Sequence, residues 1–421
     1  MPVRKQFFIG IFFIKKILNL TNKGYNSIIF LYKNIEKGIN MNNFFYKVRK
    51  DLHEMPEIAL EEYNTSKYIR DFLKNLDIKY VEIERSTLAI FEGEEDNWIG
   101  FRADIDALPI QEEGEKDYRS KIDGMMHACG HDGHTTNLLY FAKWLSEELK
   151  IEKKLKKSVM LIFQSGEEGK GGARFVANSE FFKSKKFDGI FALHLNPEIE
   201  EGKIATTVGA VSFQNINFDI EIVGKGCHGA QPHKGIDSIL VGAKLVEAYQ
   251  SIISRNLEPS ETAVLTIGSF KAGEVRNIIP EKVNILGTIR MLNTDLIELF
   301  RERVTNINRG LEVAFGVKIN MVFNPFYPPV INDEELYKKL EKVVPEEKLI
   351  KSTRLNGSED FSFYLQNGNK GLMFLLGTRN EEKNFISPLH NPKFDFDPKA
   401  LELGFEIFKG LLLEMKAFKK M

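Results

Sequence analysis

The chain of 421 residues has little of three features that would each define a class of protein. It has only two cysteines, Cys129 and Cys227, which excludes a disulfide framework and is typical of a reducing compartment, so we expect a cytoplasmic protein. Lysine and arginine total 58 against 59 acidic residues, and without a basic excess we expect no nucleic-acid partner. No apolar run approaches the about 20 residues of a membrane helix, so we expect no membrane partner.

The composition that remains is that of an ordinary globular protein. Hydrophobic residues make up 43% of the chain and charged residues 28%, which is enough apolar material for a sizeable core. The length is about three times the roughly 150 residues of one domain. The sequence therefore predicts two or three folded domains.

Residues 1–40 differ from the rest of the chain. They carry seven lysines and arginines but one acid, Glu36, and two short apolar runs, Phe7 to Ile14 and Ile28 to Tyr32. A basic amphipathic membrane anchor is one interpretation. The interpretation that we prefer is an extension outside any domain, with Met41 as the true start.

From Met41 to about residue 207, short apolar strands alternate with helices. The predicted strands are Ile99–Ile105, Ser158–Gln164 and Gly189–Leu195, and the predicted helices are Asp51–Leu76, broken near Pro56, and Asp132–Leu149. Strands that are apolar throughout and separated by helices indicate an α/β fold whose sheet is buried on both faces.

Residues 212–325 have a different pattern. Ile216, Phe218, Ile220 and Ile222 alternate with polar residues, which predicts a strand with one wet face. The order that follows is β-α-β-β-α-β, the ferredoxin-like motif, with helices on one face of the sheet. The sequence thus predicts a larger α/β domain in two parts, 41–211 and 326–421, with a small domain inserted at 212–325.

Four residues of types that can bind metal ions lie within eight positions near the start of a predicted helix. They are His127, Cys129, His131 and His134, and Asp132 lies among them. A lone buried histidine is usually structural, but this cluster is hard to explain as packing. Thiolate and imidazole together favour zinc or another borderline divalent ion.

Further polar residues follow predicted buried strands. Glu167 and Glu168 come after Gln164 in a glycine-flanked turn, and His194 ends another strand. Open α/β sheets bind their ligands at the carboxyl ends of strands. Of two adjacent carboxylates, one can bind metal while the other takes a proton from water.

Three signals are weaker when taken alone. His390 lies in a loop before the last helix, for which Asp397 is the predicted N-cap. His228 lies in a glycine-rich turn whose glycines predict a close backbone approach. Arg290 ends a strand on its polar face, where it is either a surface charge or a clamp for a substrate carboxylate.

Taken together, these segments resemble the amidohydrolase branch of the aminoacylase and carboxypeptidase G superfamily, which includes hippurate and indole-acetyl-amino-acid hydrolases. The matching stretches begin at Arg49 and run in the family order from Met41 to the C-terminus. They are Arg49–Glu57, Arg102–Pro109, His127–His134, Gln164–Gly169, His194, Gly226–His233, Asn277–Pro280, Gly357–Phe361 and Leu389–Pro392.

The resemblance implies two divalent metal ions, zinc or manganese, and hydrolysis of N-acyl-L-amino acids, which are small-molecule substrates. It assigns the metal ligands Cys129, His131, Glu168, His194 and His390. It implies further that Glu167 is the catalytic base and that His228 stabilises the oxyanion. Asn277 and Arg290 would bind the substrate carboxylate, both facing the cleft. The resemblance also makes residues 41–211 and 326–421 the catalytic domain and residues 212–325 a lid or dimerisation domain. In dimeric relatives the histidine at the place of His228 comes from the partner subunit, and whether His228 acts within its own chain or across a homodimer through the lid domain stays open.

Two departures from the family pattern and two alternatives stay open. Cys227 stands where the family usually has glycine, and Gln231 stands where methionine is common, which leaves the acyl preference undecided. The first alternative is a metal-dependent dipeptidase or carboxypeptidase on the same scaffold. The second is a non-catalytic relative. The presence of Glu167 and of every expected metal ligand argues against it.

Overall fold

The computed structural model describes residues 41–151, 154–355 and 357–419. Both interpretations of residues 1–40 therefore fall outside the described residues. Across these three ranges, no helix combines the length and the apolar character needed to cross a membrane.

The first half of the chain contains most of the strands of the large sheet and the helix that carries His131. Its elements are α1 (41–53), α2 (Tyr63–Asn75), β1 (Lys79–Ile83), β2 (Ser86–Phe91), β3 (Glu95–Asp104), α3 (His131–Lys150), β4 (Lys157–Gln164), α4 (Glu167–Lys170), α5 (Ala173–Asn178), α6 (Glu180–Lys183), β5 (Lys186–Glu200), β6 (Ile204–Thr206) and β7 (Gly209–Ala210). The break predicted near Pro56 is present: α1 and α2 are separate helices, and Pro56 lies in their connection, where it cannot continue a helical ladder. Helix α1 also covers residues 41–50, which were not predicted to be helical. Strands β1 and β2 were not predicted.

The second half completes both sheets. Its elements are β8 (Gln214–Val223), β9 (Cys227–His228), α7 (Ser238–Asn256), β10 (Ala263–Ala272), β11 (Ile278–Ile279), β12 (Lys282–Met291), α8 (Leu296–Phe315), β13 (Lys318–Pro325), β14 (Ile331–Asn332), α9 (Glu334–Val343), β15 (Leu349–Lys351), β16 (Gly371–Arg379) and α10 (Leu401–Glu414). Asp397 caps a 3₁₀ turn, Pro398–Ala400, that leads into α10, and its carboxylate accepts the N–H of Lys399 as an N-cap does.

The large sheet has eight strands in the order β1-β2-β4-β3-β5-β16-β6-β15. Its four middle strands, β4, β3, β5 and β16, run parallel to one another. Alternate residues of β4 pack on opposite sides: Leu161 and Phe163 belong to one apolar cluster, and Met160 and Ile162 belong to another. The sheet is thus buried on both faces, which confirms the predicted α/β class.

The smaller sheet has four antiparallel strands in the order β10-β12-β8-β13. Residues 214–325 supply all of them, in the predicted order β-α-β-β-α-β. Val241 and Leu245 of α7 share one apolar cluster with Phe300 and Val304 of α8, so both helices cover the same face. The strands of the large sheet come from either side of this segment, and the exact domain boundaries stay a prediction.

Candidate active site

The site forms where the parallel strands of the large sheet end. Strand β3 ends at Asp104, β4 leads into the turn that holds Glu167 and Glu168, and His194 lies on β5. Because carboxyl ends of parallel strands meet at one edge, side chains that are far apart in sequence become neighbours here.

Glycines shape the turn that presents the two glutamates. Gly166 and Gly169 have φ angles of 71° and 72°, a region that side chains with a Cβ rarely adopt. A Cβ at Gly172 would lie 1.8 Å from the carbonyl oxygen of Ser165. The turn therefore folds back on itself at a distance that only glycine allows, and it points Glu167 and Glu168 towards the other strand ends.

His131 and His134 lie one turn apart on α3, but their hydrogen bonds differ. His134 uses both ring nitrogens: Nδ1 pairs with Asp104 at 2.5 Å, and Nε2 accepts the N–H of Leu195 at 2.9 Å. His131 pairs through Nδ1 with Asp106 at 3.1 Å, and its buried Nε2 makes no hydrogen bond and has an oxygen of Asp104 at 3.6 Å. His134 is thus a structural residue, while His131 presents a free donor atom of the kind that metal ions bind.

His194 is oriented in the same way as His131. Its Nδ1 donates to the carbonyl oxygen of Leu195 at 2.7 Å, so that Nε2 faces the Sγ of Cys129 at 3.5 Å. Burial, with a contribution from the charge of His134, lowers the pKa of His194 to about 3. The ring is therefore neutral, which is the state that ligates metal.

The five expected ligands come together in two overlapping groups. Cys129, His131 and His194 place their donor atoms within 4.8 Å of one another, and so do Cys129, Glu168 and His390. The Oε1 of Glu168 lies 3.2 Å from Nε2 of His390 and makes no hydrogen bond. Cys129 belongs to both groups, so its thiolate would be available to the metal held by either group.

This donor set fits two divalent ions on its chemistry. It offers sulfur and imidazole from buried Cys129, His131 and His194, a carboxylate from half-buried Glu168, and the exposed imidazole of His390. Two of these donor atoms, Nε2 of His131 and Oε1 of Glu168, are buried and make no hydrogen bond. Burial and the charges of Glu168 and Glu167 raise the pKa of the Cys129 thiol. A bound cation would displace that proton, because thiolate rather than thiol is the metal ligand.

Glu167 is buried beside other carboxylates. Burial raises the pKa of Glu167 well above the usual range of a carboxylic acid, and the charges of Glu359 and Glu168 raise it further. The backbone of the same residue is held in place, since its carbonyl oxygen accepts the hydroxyl of Tyr327 at 2.6 Å. A carboxylate with a raised pKa in a fixed position has the properties of a general base.

A buried arginine on β3 pairs with acidic residues next to the site. Arg102 pairs with Asp104 at 2.8 Å, with Glu359 at 2.9 Å and with Asp360 at 2.8 Å. Asp360 in turn accepts the N–H of Ala173 at 2.9 Å, just after the turn that carries Glu167. The network links β3, that turn and the segment 357–368.

A cavity of about 520 Å³ opens above these groups. Cys129, Glu167, Glu168, His194 and His390 line it, and so does Arg290. The Nη1 of Arg290 donates to Oδ1 of Asn215 at 2.6 Å, which fixes the guanidinium at the cavity wall.

His228 and Asn277 do not line this cavity. They lie together on a separate two-stranded sheet, in which β9 pairs with β11, and the N–H of Gly229 donates to the carbonyl oxygen of Asn277 at 2.8 Å. Arg290 is near the end of β12 and Asn277 precedes its start, and the eight residue-to-residue steps from 282 to 290 span about 26 Å. The structure therefore separates Asn277 from Arg290 within one chain, contrary to the expectation that both face one cleft.

The glycines around His228 allow close contacts with other segments of the same chain. A Cβ at Gly224 would lie 2.5 Å from the carbonyl oxygen of Ile236, and one at Gly229 would lie 3.1 Å from that of Asn277. The close approach that the glycines predicted is thus between two segments of the same chain.

Fold and site together define a metal-dependent hydrolase of the α/β class. The sequence profile described as peptidase family M20/M25/M40 matches residues 100–414, and the chain belongs to that family. A Staphylococcus aureus protein described as an aminohydrolase is 30% identical, with a TM-score of 0.83 over 91% of this chain and 98% of that one. The Bacillus subtilis YXEP protein, described as a dinuclear metal binding peptidase, is 29% identical, with a TM-score of 0.77 over 90% and 99%.

A more distant structure shares the fold alone. The aminopeptidase PepT from Bacillus cereus is 15% identical, with a TM-score of 0.70 over 89% of this chain and 99% of that one. The family and its neighbours thus include enzymes described by different substrates, and membership fixes hydrolysis at a metal site rather than a particular substrate.

Some residues of the site had no signal in the sequence. Tyr327, Asn215 and Arg354 contact the turn, Arg290 or the cavity, yet each lies in an ordinary strand or connection. Arg102 and Asp360 stood in stretches that carried the family resemblance, but no spacing rule connects two residues 258 positions apart. Only the folded chain shows that they form an ion pair.

Proposed function

We propose that the protein is an amidohydrolase that cleaves N-acyl-L-amino acids into a carboxylic acid and a free amino acid. The observation that carries this proposal is that Arg290, Glu167 and four of the five expected ligands line one cavity, with the fifth, His131, grouped with Cys129 and His194. A guanidinium at a distance from the reacting groups suits a substrate that carries a carboxylate beside its amide.

The ligand assignments are Cys129, His131, Glu168, His194 and His390. When bound, two divalent ions supply Lewis acidity that polarises the amide carbonyl and makes water more acidic. The amino acids of the chain do the remaining work.

Glu167 accepts a proton from the attacking water and passes it to the nitrogen of the leaving amino acid. Its raised pKa suits both directions of transfer, since a base of very low pKa would hold a proton too weakly to deliver it. Arg290 holds the carboxylate of the amino acid part and so orients the scissile bond.

His228 and Asn277 complete the site from a second copy of the chain in this proposal. Both are exposed at the two-stranded sheet of β9 and β11, and neither lines the cavity of its own chain. A homodimer through residues 212–325 would allow His228 of one chain to stabilise the oxyanion in the other. Mixing two inactive variants, H228A and E167Q, tests this: recovery of activity requires sites shared between chains.

A dipeptidase or carboxypeptidase is the second candidate, and the name of the 29% identical B. subtilis protein favours it. A dipeptide has a free ammonium group, for which Glu198 at the cavity is the available acid. The stretch from Cys129 to His131 resembles the N-acyl-amino-acid branch, which is why we place this candidate second.

The experiment compares N-acetyl amino acids with the free dipeptides of the same C-terminal residue, in zinc-loaded and in manganese-loaded protein. Faster hydrolysis of the acetylated series supports the amidohydrolase. Faster hydrolysis of the dipeptides, together with its loss in E198Q, would contradict our proposal and support the peptidase.

A further inference from the structure

The cavity carries a second guanidinium that the proposed function does not use. Arg354 lies in the segment after β15 and lines the same cavity as Arg290, which projects from β12. One arginine is enough for the carboxylate next to the scissile amide. The second positive charge therefore needs a different explanation.

Both guanidinium groups have donors that are available to a ligand. Arg354 donates through Nε to the carbonyl oxygen of Ala210 at 3.1 Å, and its two Nη atoms have no partner among the described residues. Arg290 uses Nη1 on Asn215 and on the backbone, and its Nε and Nη2 are equally unpartnered among those residues. An arginine anchored at one nitrogen with a free edge is suited to bidentate carboxylate binding.

The acids that line the cavity do not neutralise this pair. Glu359 is paired with Arg102 at 2.9 Å, and Glu168 lies against His390. Glu167 is the proposed base. Glu198 is exposed, and its carboxylate contacts no other side chain in the described part of the chain. Two cations thus face one free acid, which leaves the substrate end of the cavity positive.

We propose that the cavity selects N-acyl amino acids with a second carboxylate, which Arg354 binds while Arg290 holds the first. This inference rests on the proposed function and names the substrate class of the same site. The second carboxylate is in one of two places. It is on the side chain of the amino acid, next to the carboxylate that Arg290 holds, or at the far end of the acyl group, across the scissile bond from Arg290.

The test uses pairs of substrates that have the same size and differ in charge. N-acetyl-L-glutamate against N-acetyl-L-glutamine examines the side chain, and N-succinyl-L-alanine against its terminal amide, N-succinamoyl-L-alanine, examines the acyl group. Nα-acetyl-L-lysine adds a cation instead. In the manganese-loaded full chain, we expect kcat/KM for the acidic member of one pair to exceed its neutral partner about tenfold, as one charge-assisted hydrogen bond implies.

Substitution then assigns the preference to Arg354. R354Q should remove most of the tenfold ratio, whereas R379Q, which alters an arginine that pairs with Glu381 outside the site, should leave it unchanged. The ratio should also fall as salt rises from about 0.1 M to about 1 M, since Arg354 is exposed and its charge is screened. Calorimetric Kd values for the same substrates in the E167Q background give a readout that does not depend on turnover.

The outcomes separate this inference from the proposed function. Preference for the acidic member of either pair, reduced by R354Q, supports the inference and locates the second carboxylate. Equal hydrolysis within both pairs, preference for the lysine derivative, or a ratio that R354Q does not change would refute the inference alone. Failure to hydrolyse any of the five substrates would refute the proposed function, and the inference with it.

Discussion

The E167Q substitution should separate proton transfer from metal binding. Glutamine has the shape of glutamate but cannot take a proton from water at neutral pH. General acid–base transfer contributes about 10²–10⁴-fold to catalysis, so we expect kcat to fall by on the order of 10³-fold. The five expected ligands are unchanged, so the variant should still bind two ions.

The structure also predicts that E167Q folds normally. The turn is held by its backbone, through Tyr327 on the carbonyl oxygen of residue 167 and Glu62 on the N–H of Gly166 at 2.7 Å. The sign of the stability change follows from the raised pKa of Glu167. A carboxyl whose folded pKa is raised destabilises the folded state once the pH exceeds its unfolded pKa, so a neutral amide should be at least as stable at pH 8.

The matched control is E168Q, one position further along the chain. Glu168 is an expected ligand, and even the loss of an outer partner of a ligand weakens metal binding about 10–100-fold. We therefore expect E168Q to lose metal by at least that factor. The assay combines kcat on an N-acetyl amino acid, metal content by atomic absorption, and thermal unfolding. An E167Q protein that holds two ions and turns over within tenfold of the unsubstituted chain would refute the assignment of the base.

Three further predictions concern the cavity and the buried charges. R290K should raise KM and lower kcat for N-acyl amino acids, because a point charge cannot replace the planar guanidinium. An N-acyl amine without a carboxylate should be a slow substrate for both proteins, and an equal loss of activity on that neutral substrate would show that Arg290 is structural. R102M should lower the free energy of unfolding by about 3–5 kcal/mol in urea titrations, because it leaves three buried acids without their cation, and a change below about 1 kcal/mol would contradict the network. Burial raises the pKa of Glu62 to about 8, so its contribution to stability is lost as the pH rises from about 4.5 to about 8. E62Q should therefore flatten that pH dependence and stabilise the protein at pH 9, and an unchanged slope would show that Glu62 is ionised throughout.

The sequence by itself determined the α/β class and most of the candidate metal site. Strands β4 and β5 each contain a continuous apolar run, residues 159–163 and 189–193, and such a run indicates a strand that is buried on both faces of a sheet. The crowding of Cys129, His131 and their neighbours before a helix indicated metal binding, because ligand type and spacing are written in the chain. The order β-α-β-β-α-β of residues 214–325 was equally readable from periodicity.

Tertiary structure alone decided the roles of residues whose type and spacing are alike. His131 and His134 lie on the same helix, and only their different partners, Asp106 and Asp104 with Leu195, show that one is free for metal and the other is not. Distance in space likewise separated Asn277 from Arg290, although they are near in sequence, because a strand of ten residues runs between them. Hydrogen-bond partners and distances between side chains depend on which segments the fold brings together, and local sequence does not contain that information.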